Sequence, residues 1–208
     1  MPDLALEAAA RAEGCRVVCG VDEAGRGPWA GPVVAGAVVL DAARLPDTLA
    51  AGLDDSKKLK PAVRAELFKA LAAVARIGVG IASVEEIDSH NILAATLLAM
   101  GRAVADLGAP LPDLALVDGN RPPDLGCAVR TVVKGDGLSL SIAAASIVAK
   151  ETRDRMMAEL DLRHPGYGWA RNAGYGTAEH KNALARLGVT EAHRKSFAPI
   201  RKMLSPDP

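Results

Sequence analysis

Four acidic residues stand where apolar runs end: Asp22 and Glu23 in VDEAGRG, Asp118 in LVDGN and Asp136 in VKGDG. Carboxylates brought together repel one another and hold their protons unless a cation neutralises them. An all-oxygen ligand set favours hard divalent ions, Mg²⁺ or Mn²⁺, and no His/Cys cluster in the sequence competes for zinc. Two such ions about 4 Å apart serve in-line attack by water on a phosphodiester. Each acid also has a plain explanation. Asp-Gly is a common turn dipeptide, and Asp22-Glu23 can be a polar strand end. Taken together they are harder to dismiss, because separate strands of one sheet would each deliver a carboxylate to the same edge. Side chains alternate faces along a strand, so Asp22 and Glu23 point oppositely if the strand stays regular. Either the strand ends between them or Glu23 acts through a water or its backbone.

Next to the first acidic pair, Gly25 and Gly27 flank Arg26. Glycine lets the backbone approach a ligand closely, so this stretch is either an ordinary turn or a loop whose amides and carbonyls touch a sugar. A ribose 2′-hydroxyl is the group by which a protein tells RNA from DNA. Lys57 and Lys58 follow Ser56 just before a helix that opens at Pro61, a setting compatible with a phosphate contact and equally with a solvated lysine pair. Tyr175 lies in a Gly-rich loop, as a substrate contact or an ordinary loop aromatic. His164, His180 and His193 are scattered and predict exposed or capping roles, with His180 one turn beyond Tyr175 and placed to touch the backbone. Lys150, Arg153 and Arg155 share a helix whose outer face some of them solvate.

Positioning these groups requires a sheet. Valine-rich runs at 15–22 and 32–40 predict two strands, 77–81 a third, LALVDG a fourth and AVRTVVKGD a fifth. Helices are predicted at 61–75, over the apolar 3–4 spacing that ends near Gly108, and from about Leu138 to Leu162. The stretch DTLAAGLDDSKKLK reads as a polar loop. Two or three helices follow the Gly/Tyr-rich loop at 166–176. Strands alternating with helices predict an α/β sheet with at least one hairpin; residues 1–165 form the core and 166–208 a helical lobe packed on it.

At 208 residues, half of them hydrophobic, the chain can bury a full core. No apolar run reaches the roughly 20 residues of a membrane span, and the acidic start is unlike an export signal, so a cytoplasmic protein is expected. Three cysteines make no disulfide framework and are expected in the core, binding no metal. Net charge is zero, which speaks against indiscriminate nucleic-acid binding. Residues 150–208 nevertheless carry 11 Lys/Arg against 7 Asp/Glu, and residues 1–149 carry 14 against 18. This is ordinary surface charge or an acidic site beside a basic lobe. With no long heptad, a monomer is expected.

The blocks VDEAGRGPWAGPVVAGAVVL, DSKKL, VDGN, VVKGD with IAAASIVAKETRDRMM, and GYGTAEH with HRKSF resemble, in order, the signature blocks of the type 2 ribonuclease H family. The similarity runs from about Val18 to Leu204. It implies a ribonuclease H-like fold, an α/β five-stranded mixed sheet flanked by helices, with a C-terminal helical extension. It implies an endonuclease that cuts the RNA strand of RNA–DNA hybrids, and 5′ of single ribonucleotides embedded in duplex DNA, leaving 3′-hydroxyl and 5′-phosphate ends. By resemblance, Asp22, Glu23, Asp118 and Asp136 are the catalytic metal ligands, and Gly25, Arg26 and Gly27 read the 2′-hydroxyl through their backbone. Tyr175 packs on the sugar at the junction, Lys57 lies near backbone phosphates, and Asn91 matches a DNA-contacting asparagine. Trp29 departs from a usual aliphatic residue without touching a matched position. MLSPDP shows no glutamine-plus-aromatic clamp-binding motif. Another two-metal nuclease, such as a junction resolvase, and a non-catalytic hybrid-binding module are the competing readings.

Overall fold

The computed structural model describes residues 1–205; the end of the MLSPDP tail, 206–208, lies outside the described residues. Five strands form one sheet: β1 Val18–Ala24, β2 Val33–Val39, β3 Arg76–Ala82, β4 Leu114–Asp118 and β5 Ala128–Val132, in the order β3-β2-β1-β4-β5. β1 to β3 form an antiparallel meander, whereas β4 and β5 run parallel to β1. Among the described residues eight α-helices accompany it: α1 Ala5–Ala12, α2 Asp47–Gly52, α3 Pro61–Val74, α4 Val84–Asp106, α5 Leu140–Arg163, α6 Trp169–Asn172, α7 Ala178–Leu187 and α8 Ala198–Leu204.

The two long helices sandwich the sheet. Cys19, Val21, Val33 and Ala35 pack with Ala95, Ala99 and Ala103 of α4 on one face, and Val38 packs with Ala144, Ile147 and Val148 of α5 on the other. Alanine on the helices and glycine on the strands bring backbones close. A side chain at Gly20 would run into the backbone of Ser141 and Ile142 in α5, and one at Gly80 into Ala99 of α4. Burying apolar surface between these layers is the main favourable contribution to the fold. α4 opens with a capping box: Ser83 Oγ accepts from the Glu86 amide and Glu86 accepts from the Ser83 amide.

A further cluster joins Met157 of α5 to Tyr167, Trp169, Leu184 and Ile200, and it includes Ala30 from the β1–β2 connection. The C-terminal helices thereby pack against the loop that follows Asp22 and Glu23.

Several expectations shift. β1 begins at Val18 and runs through both acidic residues, because Ala24 still pairs with Val34. The polar loop contains the short helix α2, built on Ala-rich DTLAAG, and the chain start forms α1. β5 stops at Val132. Lys134 turns left-handed, with φ 57°, so Asp136 sits on a single 3-10 turn, Gly135–Gly137, rather than at a strand end. The 166–176 stretch folds in part into α6.

Candidate active site

Because β1 and β4 are parallel with Val21 opposite Val117, Asp22 and Asp118 follow one another across adjacent strands at the same edge. Strand alternation settles their faces. Cys19 and Val21 face α4, so Asp22 faces α5, and Glu23 turns the other way. Asp22 is buried beside Ser146 of α5, and its Oδ1 accepts from the Glu23 amide at 2.7 Å. Asp118 Oδ1 accepts from the Gly135 amide at 2.7 Å, which ties the end of β4 to the turn carrying Asp136. Glu23 pairs with Arg26 at 3.3 Å.

The electrostatics are those of crowded acids. Burial, then Glu23 and Asp118, push the Asp22 carboxyl well above its ordinary range. Burial raises Glu23 too, with Arg26 opposing and Asp118 adding to the rise. Asp136 is raised by burial and by Asp118 and Asp55, with Lys57 opposing. Lys57 stands among these acids: burial alone would lower it, but Asp22, Asp55, Asp136 and Asp118 outweigh that and hold its ammonium charged. Its loop is anchored from below. Ser56 Oγ lies 2.7 Å from Ser146 Oγ, and the buried Arg64, paired with Glu151 at 2.7 Å, donates to the Ser56 carbonyl.

A cleft of about 920 Å³ opens beside the acids, and Glu23, Gly25, Arg26, Gly27, Lys57 and Tyr175 all line it. Gly25 has φ 99°, a conformation natural only to glycine. Gly27 abuts the Tyr175 ring, since a Cβ there would lie 3.3 Å from Cε1. Tyr175 is half exposed, with its ring available to a ligand. Among the described residues, the amides of Gly25, Arg26 and Gly27 donate to no protein acceptor.

Asn91 lines neither this cleft nor the smaller one that holds Glu23, Arg26, Asp118 and Arg121. It sits at a kink in α4 with φ 70° and ψ 162°, where its Oδ1 accepts from the Leu93 and Ala94 amides and so caps the second half of the helix. Trp29, expected to touch no matched position, packs on Gly176 beside Tyr175. His180 and His193 are not exposed. They are fully buried with their Nε2 atoms 3.1 Å apart, and His180 Nδ1 meets the Tyr175 carbonyl at 3.0 Å. Nothing in their sequence spacing predicts that meeting. Arg153 is buried as well, and here a signal was present: Ala149, Arg153 and Met157 recur every four residues on one stripe of α5.

As a donor set, four carboxylates, three of them raised by burial and by their neighbours' charge, suit a hard cation. Among the described residues no three His, Cys, Asp or Glu side chains already stand close enough to chelate one. Nor, among these residues, is any helix long and apolar enough to cross a membrane.

A mixed five-stranded sheet of this order, flanked by helices, defines a ribonuclease H-like fold. A family model of ribonuclease HII matches residues 19–200, and the chain belongs to the ribonuclease HII family. The chain is 62% identical over 204 residues to the ribonuclease HII of Paramagnetospirillum magneticum, covering 98% of this chain and 99% of that protein. The crystal structure of ribonuclease H2 from Pyrococcus horikoshii superposes with a TM-score of 0.75 at 28% identity, over 90% of this chain and 96% of that one. Bst-RNase HIII in complex with Mn²⁺ shares the fold, with a TM-score of 0.74 at 22% identity over 95% and 72% of the two chains. The chain is therefore an RNase H type 2 endoribonuclease, a nuclease acting on nucleic acid.

Proposed function

We propose that this endoribonuclease cuts the RNA strand of RNA–DNA hybrids, and 5′ of single ribonucleotides embedded in duplex DNA, leaving 3′-hydroxyl and 5′-phosphate ends. The observation that carries the reading is the juxtaposition of Asp22 and Asp118 on neighbouring strands with a loop of unpartnered amides and an exposed tyrosine.

Asp22, Glu23, Asp118 and Asp136 would hold two divalent ions, Mg²⁺ or Mn²⁺, a choice that agrees with the Mn²⁺ found in the related Bst-RNase HIII structure. Such ions, when bound, supply the charge that activates a water and stabilises the leaving 3′-oxygen. The remaining work falls to the chain's own groups. The amides at Gly25, Arg26 and Gly27 donate to the ribose 2′-oxygen, an acceptor that deoxyribose lacks. The Tyr175 ring covers the adjoining sugar and excludes water from it. Lys57, charged and surrounded by the acids, neutralises part of their repulsion and pairs with a substrate phosphate. Cytoplasmic, monomeric action on ribonucleotide-containing duplexes completes the reading.

The test is an end-labelled DNA duplex with one ribonucleotide, beside an all-DNA duplex, incubated with Mg²⁺ or Mn²⁺ and mapped at nucleotide resolution. One metal-dependent cut 5′ of the ribonucleotide, with the all-DNA duplex intact, is expected. Cutting of both duplexes would instead establish a general two-metal nuclease, and binding without any cut a non-catalytic module.

A further inference from the structure

The loop after Asp22-Glu23 is wrapped around a guanidinium from the other end of the chain. Arg194 is fully buried. Its Nε donates to the Gly31 carbonyl at 2.9 Å, Nη1 to Arg26 at 3.0 Å and Pro28 at 2.8 Å, and Nη2 to Gly25 at 2.6 Å and Pro32 at 3.1 Å. A guanidinium has five N–H groups, and here each direction finds a carbonyl of one loop. Arg153 adds bonds to Ala30 at 3.2 Å, Pro32 at 3.0 Å and Ala173 at 3.0 Å. In a trans peptide the N–H points away from the C=O, so the Gly25 and Arg26 carbonyls drawn towards Arg194 turn the amides of Arg26 and Gly27 away from it, on a loop that lines the cleft together with Gly25.

The residue before Arg194 holds the other wall of the cleft. Trp169 Nε1 can only donate, so His180 Nε2, 3.1 Å away, accepts. His180 Nδ1 then carries the proton and donates to the Tyr175 carbonyl at 3.0 Å. His193 Nδ1 accepts from the Thr190 amide at 3.0 Å, so its Nε2 carries the proton and shares the one lone pair of His180 Nε2, 3.1 Å away, with Trp169 in a three-centre bond. Both rings are neutral in this arrangement, in keeping with burial pushing His193 down to about 4 and lowering His180. Each ring nitrogen has a partner, so the relay has one orientation.

We propose that Arg194, acting with His193 and His180, is a positioning residue for substrate selectivity: it presents the 25–27 amides and locks their spacing to Tyr175, so that discrimination between ribose and deoxyribose depends on it. This rests on the ribose-reading role proposed above. Lysine cannot substitute, since its three donors lack the planar fork that spans five carbonyls. A ribose-blind scaffold would need only the charge or the bulk.

The experiment compares affinities for two fluorescein-labelled duplexes that differ by a single ribonucleotide, measured by anisotropy without divalent ions. Arg194→Lys is expected to lower the preference for the ribonucleotide duplex about tenfold, the effect of one or two lost hydrogen bonds, while affinity for all-DNA duplex changes less than about twofold. Leu184→Ala, which loosens the same C-terminal cluster but removes no hydrogen bond to the loop, is expected to lower Tm and leave the preference intact. An unchanged preference in Arg194→Lys, or an equal loss in Leu184→Ala, overturns the proposal. Where Arg194→Lys yields no folded protein, His180→Phe removes the bond to the Tyr175 carbonyl, and a preference that survives it has the same meaning. A wild-type protein with no preference at all overturns the ribose-reading role itself, and the proposal falls with it.

Discussion

Under the proposed function Asp118 would do two jobs at once, which makes it the most informative single residue. Its Oδ1 secures Gly135, and an asparagine oxygen can keep accepting that bond, whereas the charge is lost. Asp118→Asn is therefore expected to fold and to bind hybrid as the wild type does, yet to lose cleavage by on the order of 100-fold or more. Retained turnover in a gel assay would remove the residue from the chemistry. Tyr175 lies against Gly27 with an exposed ring. Tyr175→Ala should reduce cutting at a single embedded ribonucleotide more than cutting within a long RNA stretch, where neighbouring riboses offer further contacts. Equal losses on both substrates would count against junction sensing.

Among the elements, α5 carries the site. It crosses beneath β1, and Ser146, beside the Asp22 carboxylate, meets Ser56 Oγ in the loop before Lys57. This arrangement depends on helix and strand approaching without a side chain between them. Gly20→Ala places a methyl against the Ser141 backbone and should cost about 1–3 kcal/mol by overpacking, read as a lower urea midpoint. Gly126→Ala, at a position with open space around it, should stay within about 0.5 kcal/mol of the wild type. The α5 stripe also shows how an element can be misread. Apolar periodicity places its length and ends within two residues of where they lie, but a buried arginine on that stripe looks like surface charge until its carbonyl partners at Pro32 and Ala173 are known.

For the molecule as a whole, the buried histidine pair predicts an acid-sensitive C-terminal cluster. Burial pushes His193 down to about 4 from the 6.5 of a free imidazole, so the unfolded chain takes up its proton first as the pH falls. The stability it lends is full above about pH 6.5 and is lost progressively towards pH 4, amounting to at most about 3 kcal/mol. Asp22, Glu23 and Asp136 act in the opposite sense, because their folded-state values are raised and protonation relieves their repulsion. Comparing wild type with His193→Gln cancels that background. The difference in Tm should narrow from pH 7.5 to 4.5, and a constant difference would show that His193 does not titrate on unfolding.

Residue types and their local order determined much of this protein without any coordinates. Valine runs, the Pro61 helix start, the order of acidic blocks and the glycine–arginine–glycine turn depend on neighbours a few positions away, and local sterics and periodicity decide them. Even the opposed directions of Asp22 and Glu23 follow from strand alternation once β1 is known to continue. What only the tertiary structure decided involves partners far apart in the chain: the burial of Arg194 beneath residues 25–32, the meeting of His180 and His193, and Lys57 among acids from three segments other than its own loop. A buried polar group is tolerated only where distant groups satisfy it. No window of sequence contains both halves of such a bond.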